Sequence, residues 1–291
     1  MKLRTVLISF TSFSLLLSGC SSIPNPFENK DQTEEQPSEQ PSGQNQDDEK
    51  EQEQDQHEND QNTDEKEKEA DRGPELPSPE ETITVNADGE KIVTNVMDPL
   101  VLVNKERNLP ADFVPETLTV PDIPFTFKED HPKKQMQEVA AEAIEEMFSQ
   151  AETDGIPLLA QSGYRSYSTQ KSIFASNAEK NGHEEANKYS AQAGQSEHQT
   201  GLTMDVTSPE VDFGLIEEFG ETTAGKWVKD NAHKYGFIVR YPKGKEGVTG
   251  YQYEPWHLRY VGKEHAKAIY EQNLTLEEYL GAPVEPVNST E

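Results

Sequence analysis

An α+β domain with a small, mainly antiparallel sheet is what the sequence predicts for residues 81–291, with its core over about 99–283. Three observations carry this. Strand-like runs and helix-like runs alternate along the segment rather than clustering. The late strands follow one another closely enough to pair as hairpins. Composition changes abruptly near residue 80, from a polar tract that has almost nothing to bury to an ordinary globular mixture.

The elements follow in order. Residues 82–95 (TITVNADGEKIVTN) read as two short strands about an Asp88–Gly89 turn. The Pro-rich stretch 99–123 is expected to wrap the surface. Residues 133–155 place Met136, Val139, Ile144 and Met147 near helical spacing and end on Gly155, which predicts a helix. A strand is expected in 156–166, leaving into a turn, then helices over 168–182 and 184–194. A short strand follows at 202–208, a helix over 225–236 closed by Gly236, and a buried-type strand at 237–242. Residues 244–250 read as a loop, 255–262 as a strand and 263–273 as the final helix.

The first eighty residues belong to another regime. Lys2 and Arg4 precede an apolar run, 6–17, of signal-peptide length and short for a bilayer span. It leads into LSGC, 17–20, which is similar to a bacterial lipobox, so residues 1–20 are expected to be a lipoprotein signal with Cys20 as the lipidated residue. Cys20 is the single cysteine of the chain, so an intrachain disulfide and a cysteine zinc site are both excluded. Residues 21–80 form an acidic, low-complexity linker; between Glu28 and Arg72 there are 18 acidic and 5 basic residues, a net −13. Such a tract has too little apolar surface to fold and would span roughly 40 Å as a random coil. The expected location is extracytoplasmic, tethered to the bacterial membrane through Cys20. The whole chain of 291 residues carries a formal charge of −29 and a mean hydropathy of −0.88, which argues against nucleic acid as partner.

Two stretches carry the chemistry. SEHQTGLTMDV, 196–206, sets His198 in a polar turn and Asp205 in an apolar strand between Met204 and Val206. A carboxylate buried there needs a charged or hydrogen-bonding partner, which a metal would supply; a place on the solvent face of an edge strand is the structural alternative. YEPWHLRYVG, 253–262, adds Glu254 and His257. Zinc in a hydrolase takes three ligands from His and carboxylate and keeps one position for water, and a separate carboxylate moves the proton. Residues 254 and 257 of a regular strand face opposite ways, so a bulge or turn at Pro255 is required to bring Glu254 back. His57, His131, His183, His233 and His265 read as structural or exposed.

Taken together, SEHQTGLTMD, EPWHLRY and SGYRSYSTQ (162–170) resemble the three signatures of the VanY-type D-alanyl-D-alanine carboxypeptidases, in the family's order. The family shares its zinc-peptidase core with lysostaphin-type enzymes and hedgehog domains. The resemblance implies one Zn²⁺ held by His198, Asp205 and His257, with Glu254 as general base. It implies that Arg165 binds the substrate carbonyl or terminal carboxylate, and that Gln170 and Ser196 contact the peptide's C-terminal end. Trp256 is a candidate for lining the pocket, with packing in the sheet as the alternative. Thr203 departs from the Ala often found there. The implied activity is removal of the C-terminal D-Ala from peptidoglycan stem peptides. Its rivals are an L,D-carboxypeptidase cutting tetrapeptide to tripeptide and a non-catalytic wall-binding lipoprotein.

Overall fold

The computed structural model describes residues 76–282. The segment expected to be a signal peptide, Cys20, the acidic tract up to residue 75 and residues 283–291 lie outside that range. The hairpin expected at the start is present. Strands β1 (Ile83–Val85) and β2 (Lys91–Val93) pair antiparallel. Their turn is closed by the Asn86 carboxamide, which accepts from the backbone of Asp88 and Glu90, while Gly89 takes φ 84°. Strand β3 (Arg107–Asn108) adds to β2 in parallel.

Residues 99–123 depart from the expected surface path. Leu100, Val101, Leu102 and Val103 are all buried, as is Leu109. Prolines flag irregular backbone, but they do not say on which side of the molecule it runs. Here four successive apolar residues make an extended strap pressed between the sheet and the C-terminal helices.

The helix expected at 133 starts later. A turn of 3₁₀ helix (Pro132–Lys134) and a short strand β5 (Met136–Gln137), paired with β4 (Leu118–Thr119), come first. Helix α1 (Glu138–Thr153) then buries Ala140, Ile144, Met147 and Ala151 in one stripe. Val139 is exposed, so it does not belong to the core face that the sequence assigned it to. Strand pairing overrode the local helical propensity at Met136 and Gln137.

The central sheet has the order β6-β7-β9-β8 and is antiparallel throughout: β6 (Leu159–Ser162), β7 (Thr203–Thr207), β9 (Glu254–Tyr260) and β8 (Phe237–Tyr241). All five residues of β7 are buried, as expected of a central strand covered on both faces. Helix α2 (Tyr167–Asn181) starts on a Ser166 cap, whose hydroxyl accepts from the Thr169 N–H at 3.2 Å. Helix α3 (His183–Tyr189) ends at Tyr189 rather than running to 194. Helix α4 (Thr223–Asn231) continues as a 3₁₀ turn, and Gly236 stops it at φ 88°. A single helical turn α5 (Glu246–Thr249) occupies the expected loop. Helix α6 (Lys263–Gln272) is followed by a further one, α7 (Leu276–Leu280), opened by a Thr275–Glu278 capping box.

The core lies between α1, α4 and the sheet, with Met204, Val206, Leu258 and Phe237 wholly buried. A second apolar cluster joins Leu100 and Leu102 to α6 and α7 through Ile269, Leu276 and Leu280.

Candidate metal centre

Three side chains from two adjacent central strands and the turn before them converge. Asp205 on β7 lies directly opposite His257 on β9 in the antiparallel register, which brings the two side chains onto one face. His198 arrives from the 3₁₀ turn Glu197–Thr200. Gly201 closes that turn at φ 70°. A Cβ there would sit 2.9 Å from Leu118 and 3.2 Å from the Gln137 backbone, so only glycine fits. Gly163 is equally constrained, because a Cβ would overlap the Gln135 carbonyl oxygen. Its own carbonyl accepts from His198 Nδ1 at 2.7 Å. That bond assigns the ring proton to Nδ1 and turns the Nε2 lone pair inward.

His198 Nε2 is 3.4 Å from Asp205 Oδ2, and His257 Nδ1 is 3.2 Å from Asp205 Oδ1. One ligand atom from each of the three residues lies within 4.8 Å of the others, and all three residues are buried. Tetrahedral zinc with bonds of about 2.0–2.2 Å separates its ligand atoms by roughly 3.4 Å. The two close pairs match that spacing. Asp205 Oδ1 is buried without a hydrogen-bond partner, the condition in which a carboxylate oxygen is completed by a cation. The donor set of two imidazoles and one carboxylate suits zinc, and the residues present therefore fit the ion.

The bulge required at Pro255 is there. Val239 faces Leu258 and Tyr241 faces Glu254, so Arg240 on β8 is opposed by Pro255, Trp256 and His257 together. The two extra residues swing Glu254 to the same side as His257, with its Oε2 3.5 Å from His257 Nδ1. Burial, reinforced by the Asp205 charge and only partly countered by His257, pushes the Glu254 pKa up to about 7. Burial pulls that of His198 down to about 3. For His257 burial acts downward too, but the Asp205 and Glu197 carboxylates facing its two nitrogens outweigh it and raise the value to about 9. Asp205 is held below the usual carboxylate range: burial opposes this, and the two histidines overcome it.

Arg165, Gln170, Ser196, Glu254 and Trp256 line the same cavity of about 230 Å³ as the three clustered residues. Arg165 Nη1 donates to Gln170 Oε1 at 2.7 Å, and Gln170 Nε2 donates to the Ala191 carbonyl. The Gln170 amide therefore braces the guanidinium, and both its oxygen and its nitrogen have protein partners. Trp256 lines the cavity and also packs on the core, so the two sequence alternatives for it coexist. The remaining described histidines lie elsewhere. His131 caps a 3₁₀ turn, His183 meets Phe174 edge-on, His233 stacks on Tyr270 and His265 bonds the Tyr279 hydroxyl.

Sequence reasoning missed the charged cage under this cluster. Glu197 Oε1 accepts from Arg240 Nε at 2.7 Å and Arg259 Nη1 at 2.6 Å, and Arg240 is also held by both oxygens of Glu277. Arg259 further donates to the carbonyls of Pro99 and Val101. Glu197 stands at a variable position of its signature, and its partners lie 43 and 62 residues away. The available signal was an acidic residue beside His198 with two arginines in later strands.

Comparison with known proteins places these features. Residues 133–263 match the family profile described as VanY, D-alanyl-D-alanine carboxypeptidase. A putative carboxypeptidase of Bacillus subtilis, YodJ, is 50% identical over 192 residues, which is 66% of this chain and 70% of that protein. Among solved structures, the LdcB LD-carboxypeptidase is 47% identical at a TM-score of 0.68, covering 71% of this chain and 97% of that one. The vancomycin-resistance D,D-pentapeptidase VanY, solved as a mutant in complex with Zn(II), is 31% identical at a TM-score of 0.52, covering 62% and 98%.

Proposed function

The chain belongs to the VanY family of D-alanyl-D-alanine carboxypeptidases, and from that premise we propose that it is a zinc carboxypeptidase releasing the C-terminal D-alanine of peptidoglycan stem peptides. The observation that carries this reading is the convergence of His198, Asp205, His257, Glu254 and Arg165 on one cavity. His198, Asp205 and His257 are the proposed ligands. Zinc, when bound there, polarises both water and the scissile carbonyl.

The chain's own groups supply the rest. Burial makes Glu254 a stronger base than an exposed carboxylate, which suits it to take a proton from the attacking water. Water oxygen adds to the carbonyl carbon, the C–N bond breaks, and Glu254 returns the proton to the leaving amine. Arg165 provides the fixed positive charge that a free C-terminal carboxylate requires, in a fork oriented by Gln170. Ser196, which lines the same cavity, is the proposed contact to that end of the peptide. The outer location and the lipid anchor at Cys20 belong to the same proposal: a tethered enzyme acting on a mesh just outside the membrane.

Two bonds are candidates. Greater likeness to an LD-carboxypeptidase, 47% identity against 31% for the D,D-enzyme, favours the L,D bond and thus trimming of tetrapeptide to tripeptide. The family description favours the D,D bond, pentapeptide to tetrapeptide. Incubation with each peptide separately, following released D-alanine by mass, decides between them. Release from the tetrapeptide alone, abolished by a chelator and by Glu254→Ala, is the result expected. Release confined to the pentapeptide reverses the choice of bond. Absence of release from both, with zinc bound, makes the chain a binding module.

A further inference from the structure

His257 presents two nitrogens, and the structure gives each a different neighbour. Nδ1 faces Asp205 and Glu254. Nε2 faces Glu197 Oε2 at 3.6 Å, and both of these atoms are buried without any hydrogen-bond partner. Two orphaned polar atoms pointed at each other in a sealed place are one unmade bond. Glu197 is wholly buried, and its other oxygen is already saturated by Arg240 and Arg259. The two guanidinium groups fix the carboxylate so that Oε2 has one direction left, toward the imidazole. Arg240 is fixed in turn by Glu277 on α7, and Arg259 by the carbonyls of the buried strap.

We propose that Glu197 is a positioning residue for the metal centre: its Oε2 accepts a hydrogen bond from the Nε2–H of His257, which leaves Nδ1 as the atom that faces the metal. The inference rests on reading the three-residue cluster as a zinc site, and adds to it the group that selects which nitrogen binds. His198 has its counterpart in the Gly163 carbonyl, which accepts a hydrogen bond from Nδ1–H and leaves Nε2 inward. The two imidazoles thus use opposite nitrogens, each chosen by its outer partner.

Glu197→Gln is the informative variant because it keeps the shape. The two arginine donors require an oxygen at the Oε1 position, so the Gln carbonyl occupies it and the Gln NH₂ is turned to His257 Nε2. An N–H donor there demands a lone pair on Nε2 and places the proton on Nδ1, where the metal should bind. Chelator competition is expected to show zinc bound about 10- to 100-fold more weakly than in the parent protein. Long-range ¹H–¹⁵N spectra of the zinc-loaded parent should show an exchange-protected proton on His257 Nε2 that is lost in the variant. Glu197→Asp retains the charge both arginines need while drawing the carboxylate back from His257; it should fold and weaken zinc in the same direction. Glu277→Gln loosens Arg240 without touching His257, so it should lower thermal stability and leave zinc affinity near the parent's.

Parent-like zinc affinity and unchanged His257 signals in Glu197→Gln overturn the proposal. An equal loss of zinc in Glu277→Gln also overturns it, since the effect would then come from a loosened cage. A parent protein that binds no zinc removes this proposal together with the zinc reading, whereas a zinc-binding parent with an unaffected variant removes this one alone.

Discussion

The cavity-facing cluster and the charged cage beneath it are built from the same kinds of side chain and end in opposite states. In the cage, Glu197, Glu277, Arg240 and Arg259 balance two negative charges against two positive ones at 2.6–2.8 Å, with nothing exposed. In the cluster, Asp205 Oδ1 and His257 Nε2 are buried without hydrogen-bond partners among the described residues. The first region is neutral within the protein, with Glu197 Oε2 the one cage atom left without a partner among the described residues, and the second awaits something that binds it. A fold that places them in contact through Glu197 and His257 uses a charge-balanced unit to hold an incomplete one in shape.

Damage to the two regions therefore has different consequences. The largest expected effect is on rate. Glu254→Gln should lower kcat by about 10²- to 10⁴-fold without lowering the melting temperature, because it removes a carboxylate whose burial is unfavourable to its charge. A fall in stability comparable to that of a cage variant would erase the distinction. The cage should respond the other way. Arg240→Ala leaves two buried carboxylates short of their partner and should cost about 3–5 kcal/mol in denaturant unfolding; a cost close to that of a surface substitution would contradict the account.

Acid competes with metal at the cluster. His257, raised to about 9, must lose a proton to bind, so zinc affinity should rise roughly tenfold per pH unit between pH 7 and 9, measured by chelator competition. The metal-free protein has the opposite slope. Folded His257 holds its proton up to about 9 and the unfolded residue only to about 6.5, so this contribution to stability is complete below pH 6.5 and lost by pH 9. Zinc-free and zinc-loaded unfolding curves across that window separate the two regions directly.

Smaller effects sharpen the edges of the comparison. Arg165→Lys gives up the planar fork that Gln170 orients and should raise KM roughly tenfold, about 1.4 kcal/mol, with little change in melting temperature. Thr275→Ala breaks the capping box that starts α7, the helix carrying Glu277, and should cost about 1 kcal/mol with zinc affinity retained.

The sequence made one of the regions legible and hid the other. His198, Asp205, Glu254 and His257 lie in two short stretches, and the demand for a bulge at Pro255 followed from strand geometry alone. Gly201 and Gly163 could be read as signature residues, though the close backbone approaches that require glycine are visible only in three dimensions. The cage escaped because its members come from separate elements, and single charged residues in strands have no periodicity to betray them. Leu100–Val103 escaped for a related reason: nearby prolines suggested a surface path, while what buries the strap is tertiary, namely α6, α7 and the Arg259 side chain. Met136 and Gln137 stand among helix formers yet pair as strand, because β4 offers them a ladder.

The most direct measurement is a crystal structure of the zinc-soaked protein with data collected at the zinc edge. One anomalous peak is predicted, about 2.0–2.2 Å from His198 Nε2, an Asp205 carboxylate oxygen and His257 Nδ1. A peak bound through His257 Nε2, a peak on other residues, or none at this cluster would contradict the account.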